Sequence, residues 1–129
     1  MPGRGAKLDS NANSSDVPSG AATNQCRAAI TAAQTASNAS NGQASWVYAI
    51  AYGASNSSGC NTDTPAITPC AAMQGIASKN GASDPTKFYS DASLSGSAKC
   101  TSSAHPSITD LNSIFTAISR DLQTSRLLE

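Results

Sequence analysis

Four cysteines, Cys26, Cys60, Cys70 and Cys100, limit more than any other feature what this chain of 129 residues can fold into. Large apolar side chains are few, and Ser, Ala, Asn, Thr and Gly fill the sequence. Such a chain builds a thin core. A thin core needs covalent staples, a partner, or the rest of a larger domain. The cysteines are even in number and widely spaced, with no CxxC pair. The single histidine offers no Cys/His cluster, so a structural zinc site is not expected. The Ser- and Asn-rich setting favours disulfides over the free thiols of a cytosolic protein.

Charge excludes some partners. Eight basic and eight acidic side chains cancel, and charged residues make up only 12% of the chain, about half the usual share. Nothing here draws the chain to nucleic acid or to an anionic membrane surface. No stretch is long and apolar enough for a membrane span, and the opening MPGRGAKLDS lacks the apolar core of a signal peptide. An exported protein of this kind takes its signal from outside these residues.

Residues 1–22 are rich in Gly, Ser and Asn and are expected to form a flexible arm. Residues 23–40 are expected to form a helix capped by Thr23 or Asn24, with Cys26, Ile30, Ala33 and Ser37 on one small-residue face, ended at Gly42. That face predicts close packing on a neighbour. The run SWVYAIAYG, residues 45–53, is the clearest strand, and its nearly continuous apolar character fits a strand covered on both faces. After a polar loop holding Cys60, Thr68 and Pro69 predict a helix start, with Met73, Ile76 and Ala77 inward and a stop at Asn80-Gly81. A short strand over 87–90 and a second polar loop, 91–106, carrying Cys100 follow. The last element is an amphipathic helix opened by Ser107 and Asp110, with Ile108, Leu111, Phe115, Ile118 and Leu122 at steps of three and four. Helix, strand, helix, strand, helix implies right-handed crossovers and a parallel sheet. Two strands are too few for an independent sheet of this class, which predicts half of a domain.

The runs TNQCRAAITAAQTA, WVYAIAYGA, PCAAMQGIAS, KFYSDAS and LNSIFTAISRDLQTSRLL, in that order, resemble the C-terminal half of a von Willebrand factor A (vWA) domain. More narrowly, they resemble the vWA domains of the bacterial Tad-type pilus-assembly, TadG-like group. The final helix carries the likeness in Leu111, Ile114, Phe115, Ile118, Leu122, Arg126 and Leu127. The resemblance covers residues 23–128. It implies a partial doubly wound, Rossmann-like α/β sheet with flanking helices and a long C-terminal amphipathic helix. It also implies a non-catalytic adhesion or pilus-assembly role outside the cytoplasm, with a pilus or cell-surface protein as partner. The family's metal-ion-dependent adhesion site holds Mg²⁺ or Ca²⁺ on hard oxygen ligands. Its DxSxS loop does not occur here, and Asp9 is at most a remnant of a later site segment, with Ser10 where Gly is expected. No working metal site is therefore expected in this chain, and Mg²⁺ or Ca²⁺ binding belongs to a complete parent domain.

Rival chemistries are weaker. Asp9-x-Asn11-x-Asn13 opens like a calcium loop, but Ser14 and Gly20 stand where Gly and Glu are needed. His105 has no GxSxG elbow to serve and sits beside Pro106, which predicts an exposed or cap-adjacent histidine rather than a hydrolase base. Asp63, Asp84 and Asp91 fall in loops near strand ends, where α/β ligands bind, but turn chemistry explains them. Trp46, Tyr48 and Tyr52 share one strand face and are expected in the core rather than stacked on a ligand. The sequons at Asn13, Asn38 and Asn56 follow from Ser/Asn richness alone.

A parallel sheet sends all four cysteines to one rim. Cys60 and Cys70 flank the loop after the first strand, Cys100 follows the second, and Cys26 opens the first helix. Cys60–Cys70 with Cys26–Cys100 is the favoured pairing because it closes the loop locally; Cys26–Cys60 with Cys70–Cys100 is the alternative. A small secreted disulfide-bonded binding module, complete in itself, is the second functional expectation, and a hydrolase using His105 the third.

Overall fold

The structure is a computed structural model of the chain and describes residues 24–41 and 44–126. The expected arm at 1–22, Asp9 within it, and the helix stop at Gly42 lie outside the described residues.

The fold is a mixed α/β arrangement of three α-helices around a small parallel sheet. Helix α1 is Gln25–Ala36, and Ser37 ends it through its backbone N–H. Strand β1 is Ala49–Ala51, only the middle of the expected run. Val47 still pairs, but across an isolated antiparallel bridge to Ser78. Helix α2 is Pro69–Ile76, and the Thr68 hydroxyl accepts the Ala71 amide at its start, as Thr-Pro predicts. Strand β2, Ser78–Lys79, turns through Asn80 (φ 54°) and Gly81 (φ 82°) into β3, Ala82–Ser83. Two successive left-handed residues make the hairpin turn for which Asn-Gly is the strongest local signal. In sequence the pair marks only a helix stop, since strands of two residues are too short to show a period. Strand β4 is Phe88–Ser90, preceded by a 3₁₀ turn, Pro85–Lys87. It pairs parallel with β1 in the register Ala49 to Phe88 and Ala51 to Ser90.

Helix α3 runs from Leu111 to Arg126. It starts three residues later than Ser107 predicts, because the Asp110 carboxylate accepts the Ser113 amide at 2.9 Å. Among the described residues no helix is long and apolar enough to cross a membrane.

The core lies between the sheet and the α1/α2 pair, around Ala49, Ala51, Cys70, Ala77, Phe88 and Cys100. Its residues are small, so elements approach closely. A β-carbon on Gly75 would stand 2.7 Å from the Ile30 side chain, so only glycine lets α2 meet α1 there. The close packing expected of the Ile30 face is what the structure shows.

Candidate functional site

The strands point the same way, so the loops after β1 and β4 share a rim with the N-terminal ends of α1 and α2. Both disulfides lie there. Cys26, on the first turn of α1, joins Cys60 with Cα atoms 6.0 Å apart. Cys70, on the first turn of α2, joins Cys100 at 5.5 Å. This corrects the favoured pairing: neither Cys60–Cys70 nor Cys26–Cys100 forms. Each bridge ties a helix start to a loop that follows a strand. The loop between Cys60 and Cys70 is instead held by backbone contacts, with the Cys70 amide donating to the Ser55 carbonyl at 3.0 Å.

Two aspartates, Asp63 and Asp91, organise this rim, and Asp84 lies at the other end of the sheet, before β4. Asp63, buried at 3% exposure, accepts the Cys26 amide at 3.2 Å and the Arg27 amide at 2.9 Å. It caps α1 from 36 residues away, beside the first disulfide. Asp91 accepts the Gly53 amide on both carboxylate oxygens, each at 3.1 Å, and the Ser93 amide as well. Partial burial pushes its pKa up, but the hydrogen bonds from Ser93 and Gly53 outweigh that and hold it below the ordinary carboxylate value. It therefore laces the two post-strand loops together as an anion. Asp84 accepts the Thr86 amide and hydroxyl at 2.9 and 2.6 Å, which is turn chemistry, as read from the sequence.

On this scaffold Tyr52 is 69% exposed and Leu94 36% exposed. The expectation that Tyr52 lies in the core is overturned: β1 ends at Ala51, and the left-handed Gly53 (φ 60°) turns the chain away before Tyr52 can be covered. Ser55, Asn56, Ser57 and Ser58 surround it in sequence. Tyr52 is thus an exposed aromatic side chain among Ser, Asn and Gly, on covalently braced loops. A shallow apolar groove of about 280 Å³, lined by Cys26, Ala29, Met73 and Ile76 among others, runs from the Cys26–Cys60 bridge between α1 and α2.

Trp46 and Tyr48 are half-buried below the sheet's other end. The ammonium groups of Lys79 and Lys87 both lie 4.3 Å from the Trp46 ring centre. Lys87 is only 3% exposed and is paired with Asp121 of α3, which also accepts the Tyr48 hydroxyl. Burial, then the Asp121 bond and charge, raise the Tyr48 pKa well above that of a free phenol, so it stays a neutral donor. Sequence reasoning missed this cluster. Its one signal is Asp121, a charge seven residues after Ile114 on the inward period of α3. The arrangement is structural: it neutralises a buried ammonium and seats α3.

His105 is half-buried rather than exposed. Its ring stacks on Tyr89 at 4.2 Å between centres, and Nε2 meets the Thr86 carbonyl at 2.9 Å. With that carbonyl as its partner, Nε2 is a donor, and its proton is engaged by Thr86. Among the described residues no group of three or more His, Cys, Asp or Glu side chains gathers as a metal would require. Asp63 and Asp91 already accept backbone amides on both carboxylate oxygens, so the rim does not fit the Mg²⁺ or Ca²⁺ of the vWA site. No protein-family model matches the chain, and neither a curated protein nor a solved structure matches it.

Proposed function

We propose that the chain is a non-catalytic, extracytoplasmic binding or assembly protein of the vWA-like adhesion or pilus-assembly kind, recognising a pilus or cell-surface protein. In this reading it is the C-terminal half of a doubly wound domain. The parallel β1–β4 pair and the helix on each side of it support that reading, as does a sheet smaller than an independent domain needs.

One observation carries the proposal. Both disulfides and Asp91 brace the loops at the strand C-terminal rim, the rim where α/β folds bind ligands, and they do so around an exposed Tyr52. Rigid loops lose little entropy on binding, which favours a recognition surface. Two disulfides also fit an oxidising compartment. The engagement of His105 by Tyr89 and Thr86 supports a non-catalytic role.

The test compares the oxidised chain with its Tyr52→Ser variant for retention of purified Tad-type pilus and surface proteins. Tyr52→Ser should weaken retention at least about tenfold, as loss of an aromatic anchor does, with an unchanged circular dichroism spectrum. Equal retention by the two proteins sinks the rim reading. Ester or peptide hydrolysis abolished by His105→Ala sinks the non-catalytic one.

A second reading, a secreted binding module complete in itself, is favoured by the closure of both bridges within residues 26–100. A sharp, cooperative melt of the isolated chain would select it.

A further inference from the structure

The two edges of the parallel sheet differ. Along a strand, successive residues turn their backbone groups to opposite edges. The Ala51 carbonyl accepts the Asp91 amide from the β4 side. Alternation then turns the backbones of Tyr48 and Ile50 to the other edge, where no strand lies among the described residues. The outer edge of β4 is closed, since the Ser102 hydroxyl donates to the Phe88 carbonyl at 2.7 Å and the Ser90 hydroxyl to the Cys100 carbonyl at 2.9 Å. Natural edges are guarded by charge, proline or a covering segment. The run of residues 45–53 that carries β1 has neither charge nor proline.

Helix α3 overhangs that same open side. At 3.6 residues per turn, Ile114 and Asp121 share the inward face. Ile114 is fully buried, and Asp121 reaches Tyr48 on the β1 run and Lys87 just before β4, so α3 spans both strands. One flank, Ala117 and Arg120, lines a groove with Ile108 and His105, and His105 stacks on Tyr89 of β4. That flank therefore faces the β4 side. The opposite flank carries Leu111, Phe115, Ile118 and Leu122, spaced four, three and four as in a helix-pairing seam. Leu111, Phe115 and Leu122 are 39%, 57% and 48% exposed. The apolar stripe thus lies beside the unguarded edge of β1.

We propose that this surface pairs with a second copy of the chain, β1 against β1 antiparallel and the α3 stripes against each other. A two-fold axis perpendicular to the sheet does both at once. It makes one continuous sheet in the order β4-β1-β1-β4 and sets the two α3 helices antiparallel on one face. The spacing agrees. Strands lie about 4.8 Å apart, so a helix midway over β1 and β4 stands about 4.8 Å from the axis. Two such helices are then about 9.6 Å apart, within the 8–10 Å at which helices pack. The stripe and the neighbouring Asn112 and Ser119 carry no charge, and the chain's formal net charge is zero, so like copies do not repel. The pairing rests on the second reading, a module complete in itself, because further strands of a larger sheet would take the same β1 edge; it does not rest on the rim.

Sedimentation of the oxidised chain over a range of concentrations tests the proposal. The expected result is reversible doubling of the 13.0 kDa monomer. Phe115→Glu, at an exposed position that should still fold, should weaken the dimer at least about tenfold, since it buries an unpaired charge from each copy in the seam. Thr116→Glu, one residue round the same helix, should leave it intact. Amide exchange at Ile50 should slow as concentration rises, because the dimer occupies that edge. A wild-type chain that stays monomeric, or variants at 115 and 116 that behave alike, overturns the pairing. Either result leaves the Tyr52 test of the rim standing.

Discussion

The two faces of the small sheet are held by different physics. On the α1/α2 face, the elements are close because the residues are small and the bridges covalent: Gly75 against Ile30, Ala77 and Cys70 against Phe88, with Cys26–Cys60 and Cys70–Cys100 at the rim. On the α3 face, one buried apolar residue, Ile114, and one polar cluster around Asp121 seat a 16-residue helix. Leu111, Phe115 and Leu122 of that helix stay exposed. A chain short of large hydrophobic residues has closed one face mainly with small ones and leaves three of its large ones exposed on the other. The comparison teaches that apolar periodicity marks a sticky face, not necessarily a buried one.

The sharpest way to break the contrast is reduction. The bridges span 34 and 30 residues, and each should contribute about 3–4 kcal/mol by constraining the unfolded chain. Cys70→Ser with Cys100→Ser should lower the denaturation midpoint more than the Cys26, Cys60 pair does, since Cys70 and Cys100 are both buried in the core and the other two are half-exposed. Equal losses would mean that the buried bridge adds nothing by packing.

Neighbouring residues on α3 sharpen it next. Ile114→Ala should destabilise the monomer by about 3 kcal/mol, the usual loss for a fully buried aliphatic side chain. Phe115→Ala, at 57% exposure, should change monomer stability by less than about 0.5 kcal/mol. Urea titrations at low protein concentration separate the two, and a large loss at Phe115 would mean that the stripe is internal after all.

The smallest effect concerns Asp121. Burial raises its pKa, but hydrogen bonds from Lys87 and Tyr48 and the charges of Lys87 and Lys79 outweigh burial and hold it below the ordinary 3.8. A lowered carboxylate pKa contributes stability above the unfolded value, and that contribution is lost as pH falls through the folded one. Asp121→Asn should cost about 2 kcal/mol at neutral pH, less than a fully buried pair because the carboxylate is about a third exposed. It should also flatten the stability profile below pH 3.8. An unchanged acid limb in the variant would show that other carboxylates govern it.

Much of the architecture was legible. Thr68-Pro69 announced α2, the WVYAIAYG run announced β1, and the alternation of elements implied the parallel pairing that β1 and β4 make. The β2–β3 hairpin was not, because two residues cannot show alternation. The rim was partly legible, since strand order alone sends the cysteines to one end. Asp63 could be read as a loop aspartate but not as the cap of a helix 36 residues earlier. Tyr52 misled because period two continues past the residue at which pairing stops.

Local chemistry therefore determined where helices start, where turns fall, and that four cysteines in a thin-cored chain would be staples. Those outcomes depend on neighbours within a few residues. Tertiary structure alone decided which cysteine meets which, that Lys87 and Asp121 are partners, and which side of α3 meets the sheet. Each is a distance between groups 30 or more residues apart, set by how small side chains let the elements approach, and no local pattern encodes it.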